Sequence, residues 1–130
     1  MIVADASALF QVLGGAGRGE KIEARLFGRA EVVFAPHLVD AEIISVLRRH
    51  VLTGQLAETR ARAMLQDYLG MSLTRLPHTP LLARAFALRH TMSAYDALYV
   101  ALAASLEATL VTRDGRLARA ATGLVAVEAF

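Results

Sequence analysis

The chain has 130 residues, 55% of them hydrophobic and 20% charged, which is enough for one domain with a real core and too apolar for disorder. Its formal net charge is only +2, so charge alone names no polyanionic partner, and Lys21 is its single lysine. The absence of cysteine excludes both a disulfide framework and a thiolate metal site, and accords with the cytoplasm.

In chain order, Ile2 to Ala4 is a short β-prone segment that closes on Asp5 and reads as a first, central strand. No basic stretch precedes it, so the start does not read as a signal peptide. Ala6 to Leu13 has helical spacing, with Leu9, Val12 and Leu13 on one face. Gly14 to Gly19 (GGAGRG) reads as a flexible break. Its glycines follow a helix rather than a strand and lack a P-loop lysine, which argues against a nucleotide site.

Glu20 to Phe27 is a short amphipathic helix and Val32 to Ala35 a second strand. Pro36 then suits a helix start. Leu38 to Leu52 is a strongly periodic helix stopped near Gly54, and Ala57 to Leu69 another, ended by Gly70. Ser72 to Leu76 reads as a third strand. A helix follows from Thr79-Pro80 to about His90, and another from Ser93 to Glu107. Its apolar run, Ala97 to Leu106, is too short to span a bilayer. Thr109 to Thr112 is a fourth strand, Asp114 to Ala121 a helix, and Leu124 to Val127 a last strand.

Strands alternate with helices throughout. The pattern predicts an α/β fold, a single domain over 1–130 with a parallel β-sheet and helices on both faces. Ligands of such sheets bind beyond the carboxyl ends of the strands. Asp5 and Asp114 fall there, each following a strand.

Each acid also has a structural reading. Asp5 and Asp114 suit N-caps. Ser93-x-x-Asp96 resembles a capping box with Asp in place of Glu. Glu42 lies at the edge of an apolar stripe and needs a donor or a cation, an arginine salt bridge being one solution. Taken together, four acids from four separated elements would repel one another and raise each other's pKa values unless a cation joined them. Without cysteine or histidine at ligand spacing, the donors are all oxygen, which selects Mg²⁺ or Mn²⁺ over Zn²⁺. Such a centre serves phosphodiester hydrolysis.

Three stretches carry a resemblance: IVADASAL at the start, PHLVDAEIISVLRR in the middle, and SAYDALYVALAASLEATLVTRDGRLARA near the end. In this order they resemble PIN-domain nucleases, specifically the VapC-type toxins of bacterial toxin–antitoxin pairs. The resemblance implies that Asp5, Glu42, Asp96 and Asp114 are the catalytic and metal-binding quartet, supported by the hydroxyls of Ser7 and Thr112. Gly115, Arg116 and Leu117 stand where some relatives carry a further acid, so a second ion would be weakly held or recruited with RNA.

The resemblance further implies a Mg²⁺- or Mn²⁺-dependent endoribonuclease, a homodimer with no membrane partner, and inhibition by a cognate antitoxin. Arg113 and Arg116, with Arg48 and Arg49, are candidates for RNA phosphate contact. The four histidines receive no role. Tyr95 and Tyr99 read as packing residues. Other acidic α/β families fit less well: receiver domains need a lysine after a late strand, where none stands, and haloacid-dehalogenase phosphatases need a catalytic lysine and Asp at position 7, where Ser7 stands. The remaining alternative is a PIN-like module that binds RNA or protein without catalysis.

Overall fold

The computed structural model describes residues 1–130. Five strands form one sheet: β1 (Ile2–Ala4), β2 (Val33–Pro36), β3 (Leu73–Leu76), β4 (Thr109–Thr112) and β5 (Val127–Ala129). Their order is β3-β2-β1-β4-β5 and every pairing is parallel, so β1 is central as its apolar, fully buried side chains require. Seven helices connect them: α1 (Ala6–Leu13), α2 (Arg18–Phe27), α3 (Leu38–Leu52), α4 (Glu58–Leu69), α5 (Leu82–Ala87), α6 (Ala94–Leu106) and α7 (Gly115–Ala121).

The chain runs from β1 out to β3 on one side and returns to β4 on the other. Right-handed crossovers therefore put α1 to α4 on one face and α5 to α7 on the opposite face. The packing agrees: α1 contacts α2, α3 and α4, whereas α5 packs on α6. The strand order reverses between β1 and β4, the place where open parallel sheets form a crevice. Helix α6 is buried continuously from Ala97 to Ala103, which explains why its sequence is apolar all round rather than striped. No helix is long and apolar enough to cross a membrane.

Pro36, expected at a helix start, instead ends β2, and element boundaries differ from the sequence reading by more than one residue in three further places. Helix α2 begins within the glycine stretch, at Arg18, and Gly17 takes the positive φ of +72° that lets the chain turn into it. Gly19 is already helical and buried. A Cβ there would come within 2.5 Å of the Gln11 carbonyl, so the close approach of α1 and α2 requires the glycine. The helix expected to reach His90 is a 3₁₀ turn (Thr79–Leu81) followed by α5, which closes in i→i+3 bonds from Leu88 and Arg89. The last strand lies three residues later than its apolar residues suggest. Thr122 to Leu124 are spent in a turn around Gly123 (φ +84°), and pairing with β4 starts at Leu110↔Val127.

Outside the crevice, Asp40 at the start of α3 accepts hydrogen bonds from Tyr68 of α4 at 2.5 Å and from Arg75 of β3 at 2.7 Å. The pair ties the edge strand to two helices. Burial works against the charged Asp40 carboxyl, but these two partners hold it below the usual range. His78 has a role the sequence did not disclose: its Nε2 accepts the Leu38 N–H at 2.7 Å and so caps α3.

Candidate active site at the carboxyl edge of the sheet

The parallel ladder itself delivers the first acid. Ala4 pairs with Val111, and the Asp5 N–H donates to the Val111 carbonyl at 3.2 Å, which sets Asp5 beside Thr112. These two are the only polar or charged residues buried in the whole chain, Asp5 at 4% exposure and Thr112 at 0%. A buried carboxylate is costly unless its oxygens are satisfied. Here Thr112 donates to Oδ2 at 2.5 Å, the Ala8 N–H donates to Oδ1 at 2.8 Å, and the Ser7 hydroxyl lies 2.8 and 3.0 Å from the two oxygens. Asp5 is thus an N-cap of α1 and the buried floor of the crevice at once.

Thr112 Oγ1 also accepts the Asp114 N–H at 2.9 Å, and Ser7 Oγ accepts the Arg113 N–H at 2.9 Å. The two hydroxyls therefore clamp the β4–α7 turn to Asp5. Asp114 in turn caps α7 through the N–H groups of Arg116 at 2.7 Å and Leu117 at 3.3 Å, both on its Oδ1. Replacing Thr112 with valine should lower unfolding stability by about 1–3 kcal/mol, because a carboxylate oxygen and an N–H lose their shared partner. Urea unfolding checks this; an unchanged midpoint would show the hydroxyl bridge to be dispensable.

Asp96 sits in the first turn of α6. Ser93 caps that helix by accepting the Asp96 N–H at 3.1 Å, but no hydrogen bond runs from Asp96 back to the Ser93 N–H. The capping box is half-formed, and the carboxylate is left to face the crevice. Glu42, one turn into α3, has no arginine partner. Its Oε2 accepts instead from the phenol of Tyr99 at 2.6 Å.

All four acids line one open cleft of about 240 Å³, with Ala6, Ser7, Ser45, Val46 and Tyr99 completing it. None of the five ion pairs in the protein involves any of the four. The charge is felt. Burial pushes the Asp5 carboxyl up, its hydrogen bonds from Thr112, Ala8 and Ser7 pull it down less strongly, and Asp114 pushes it up further. Burial raises Glu42 against the Tyr99 hydrogen bond, and the charges of Asp5 and Asp96 add to it. Asp96 is raised first by burial and then by Asp114, with Ser93 and Arg116 acting in the opposite sense.

The donor set is oxygen only, negatively charged and without an internal counter-ion, which is the chemistry of a hard divalent cation. As placed, no three of these side chains converge closely enough to hold one ion. Loading would require side-chain rotation, chiefly of Asp96, since Asp5, Glu42 and Asp114 are each held through a carboxylate oxygen.

Of the residues the sequence singled out, the quartet, Ser7 and Thr112 come together here. Both hydroxyls are engaged with Asp5. Arg116 stands near enough to influence Asp96, while Arg113 is exposed and attached to the site through its backbone N–H. Ser45 and Val46 were missed, although spacings of three and four residues from Glu42 place them on its face. Tyr99 was read as packing alone. It does pack, at 1% exposure, but it also holds Glu42.

Comparison with known proteins places the chain in a family. The PIN-domain family model matches residues 2–123. Ribonuclease VapC1 of Mycobacterium tuberculosis is 44% identical over 123 residues, covering 94% of this chain and 91% of that protein. Ribonuclease VapC9 of the same species is 43% identical over 117 residues, covering 90% and 88%. Among solved structures, PAE2754 from Pyrobaculum aerophilum superposes with a TM-score of 0.74 at 24% identity, over 97% of this chain and 81% of that one. The family model spans the elements that carry all four acids, and the chain belongs to the PIN-domain family, among the VapC ribonucleases.

Proposed function

We propose that the protein is a metal-dependent endoribonuclease that hydrolyses RNA phosphodiesters and acts as the toxin of a type II toxin–antitoxin pair. The observation that carries this reading is that Asp5, Glu42, Asp96 and Asp114 line one cleft and that none of them is taken up in an ion pair. Its kinship with VapC ribonucleases supports RNA as the substrate, and its likeness in fold to the toxin–antitoxin complex from Klebsiella pneumoniae (TM-score 0.65, 19% identity) supports an antitoxin as the partner. A homodimer is part of the same reading.

The four acids would hold Mg²⁺ or Mn²⁺, which when bound supplies positive charge to the reacting phosphate and makes water acidic enough to attack near neutral pH. Asp5, fixed by Thr112, Ser7 and Ala8, is the most rigid member of the set, Glu42 is held by Tyr99, and Asp96 is the adjustable one. Arg113 and Arg116, exposed at the cleft mouth, contact RNA phosphates. Water adds in line to phosphorus and the 3′ oxygen departs with a proton, leaving 5′-phosphate and 3′-hydroxyl ends without a covalent enzyme intermediate.

The test is incubation of the purified protein with RNA in Mn²⁺ or Mg²⁺ and in chelator, followed by mapping of the new ends. The proposal expects cleavage only with metal, and 5′-phosphate products. RNA that binds but stays intact under either metal would instead favour the non-catalytic module.

A further inference from the structure

We propose that Tyr99 is the positioning residue of the acidic centre: its buried phenol fixes Glu42 so that one carboxylate oxygen is engaged and the other is presented to the cleft. This inference rests on the reading of Glu42 as a metal ligand.

Three observations carry it. The Tyr99 side chain is among the largest fully buried ones, at 1% exposure, yet the residue borders the cleft that the four acids line. That hydroxyl donates to Glu42 Oε2 at 2.6 Å, and it is the only hydrogen bond made by the Glu42 carboxylate. Tyr99 also lies three residues after Asp96 on α6, so one helix supplies an acid and the donor that orients a second acid on α3.

A glutamate has three rotatable side-chain bonds, and an unbonded one at a half-open cleft would sample many rotamers. An aromatic ring locked in the core is a rigid post by comparison. The phenol selects one orientation of Glu42 before any ligand arrives, and it bridges α3 and α6 from the two faces of the sheet.

The experiment measures Mn²⁺ affinity by calorimetry for the wild type, Tyr99→Phe, Glu42→Ala and the double variant, with melting in chelator as the fold control. Phenylalanine keeps the ring in the core and removes only the donor. Tyr99→Phe is expected to weaken Mn²⁺ binding about tenfold, the size typical of losing a group that orients a metal ligand. In the Glu42→Ala background the same substitution should change affinity less than about twofold, since its effect passes through the carboxylate. A purely structural tyrosine would instead lower the melting temperature in chelator and weaken binding equally in both backgrounds, and that result overturns the inference. If Glu42→Ala weakens Mn²⁺ binding and Tyr99→Phe does not, the inference fails while the metal reading stands. If Glu42→Ala leaves affinity unchanged, the metal reading of Glu42 fails and the inference with it.

Discussion

Asp5→Asn should reduce RNA cleavage by about 10³-fold or more while leaving the protein folded. The loss is large because Asp5 is the most firmly held of the four acids, and removing its charge removes the anchor for the cation that would stabilise the reacting phosphate. Folding survives for a reason visible in its contacts. The asparagine oxygen still accepts the Ala8 N–H, and the Ser7 and Thr112 hydroxyls can each turn from donor to acceptor to meet the new amide N–H.

Asp96→Asn should be similarly inactive, yet its melting temperature in chelator should rise by about 2–4 °C, the shift that roughly 1 kcal/mol gives in a domain of this size. Burial and Asp114 oppose its charge more strongly than Ser93 and Arg116 favour it, so removing that charge relieves a net cost. Parallel single-turnover cleavage and melting experiments decide. Activity retained by either variant would remove the replaced acid from the chemistry, whatever its geometry.

These residues also show where sequence was enough. Asp5, Asp96 and Asp114 stand at junctions that local signals mark well: a buried strand ending, a Ser-x-x-Asp, a strand-to-helix turn after Thr112. The alternation of elements then implied the parallel sheet, and a parallel sheet has only one carboxyl edge. Glu42 was legible because an acid at the rim of an apolar stripe needs a partner, but the identity of that partner was not. Tyr99 is an apolar-looking position within a helix buried on all sides, and nothing in its neighbours distinguishes a ring that ends in the core from one whose hydroxyl emerges in a cleft.

The same limit applies to His78 and Leu38, forty residues apart, whose bond exists only because β3 lies beside β2. Errors in the boundaries have a common origin too. The start of β5 is set by its register on β4, and the extension of α2 into the glycines by its contact with α1. Both are tertiary facts imposed on weak local preference.

Metal should stabilise the protein, and the gain should shrink as the solution is acidified. An ion present at a hundred times its Kd adds about 2.7 kcal/mol, or roughly 10 °C in melting temperature for a domain of this length. The pH dependence follows from the direction of the carboxyl shifts. Asp5, Glu42 and Asp96 have folded-state pKa values above their ordinary ones, chiefly from burial and then from one another. For a raised carboxyl, the folded state binds protons more tightly than the unfolded state does. The destabilisation is therefore fully present above the folded pKa, fades as pH falls through it, and is gone below the ordinary value.

In chelator, stability should thus rise from pH 7.5 toward the upper carboxylate range. It should fall again only when lower-lying groups such as Glu31 and Asp40, whose charged forms are held by Arg25 and by Tyr68 with Arg75, take up protons. With Mn²⁺ the trend reverses, because protons compete for the same oxygens and binding weakens as they are taken up. The difference in melting temperature between Mn²⁺ and chelator should be greatest near pH 7.5 and much reduced near pH 5. Asp5 dominates this dependence, since Glu42 and Asp96 are partly exposed and screened by solvent. A metal-induced gain that is independent of pH would place the ion on groups other than these carboxylates, and no gain at all would remove the cation that the cluster of unanswered charge calls for.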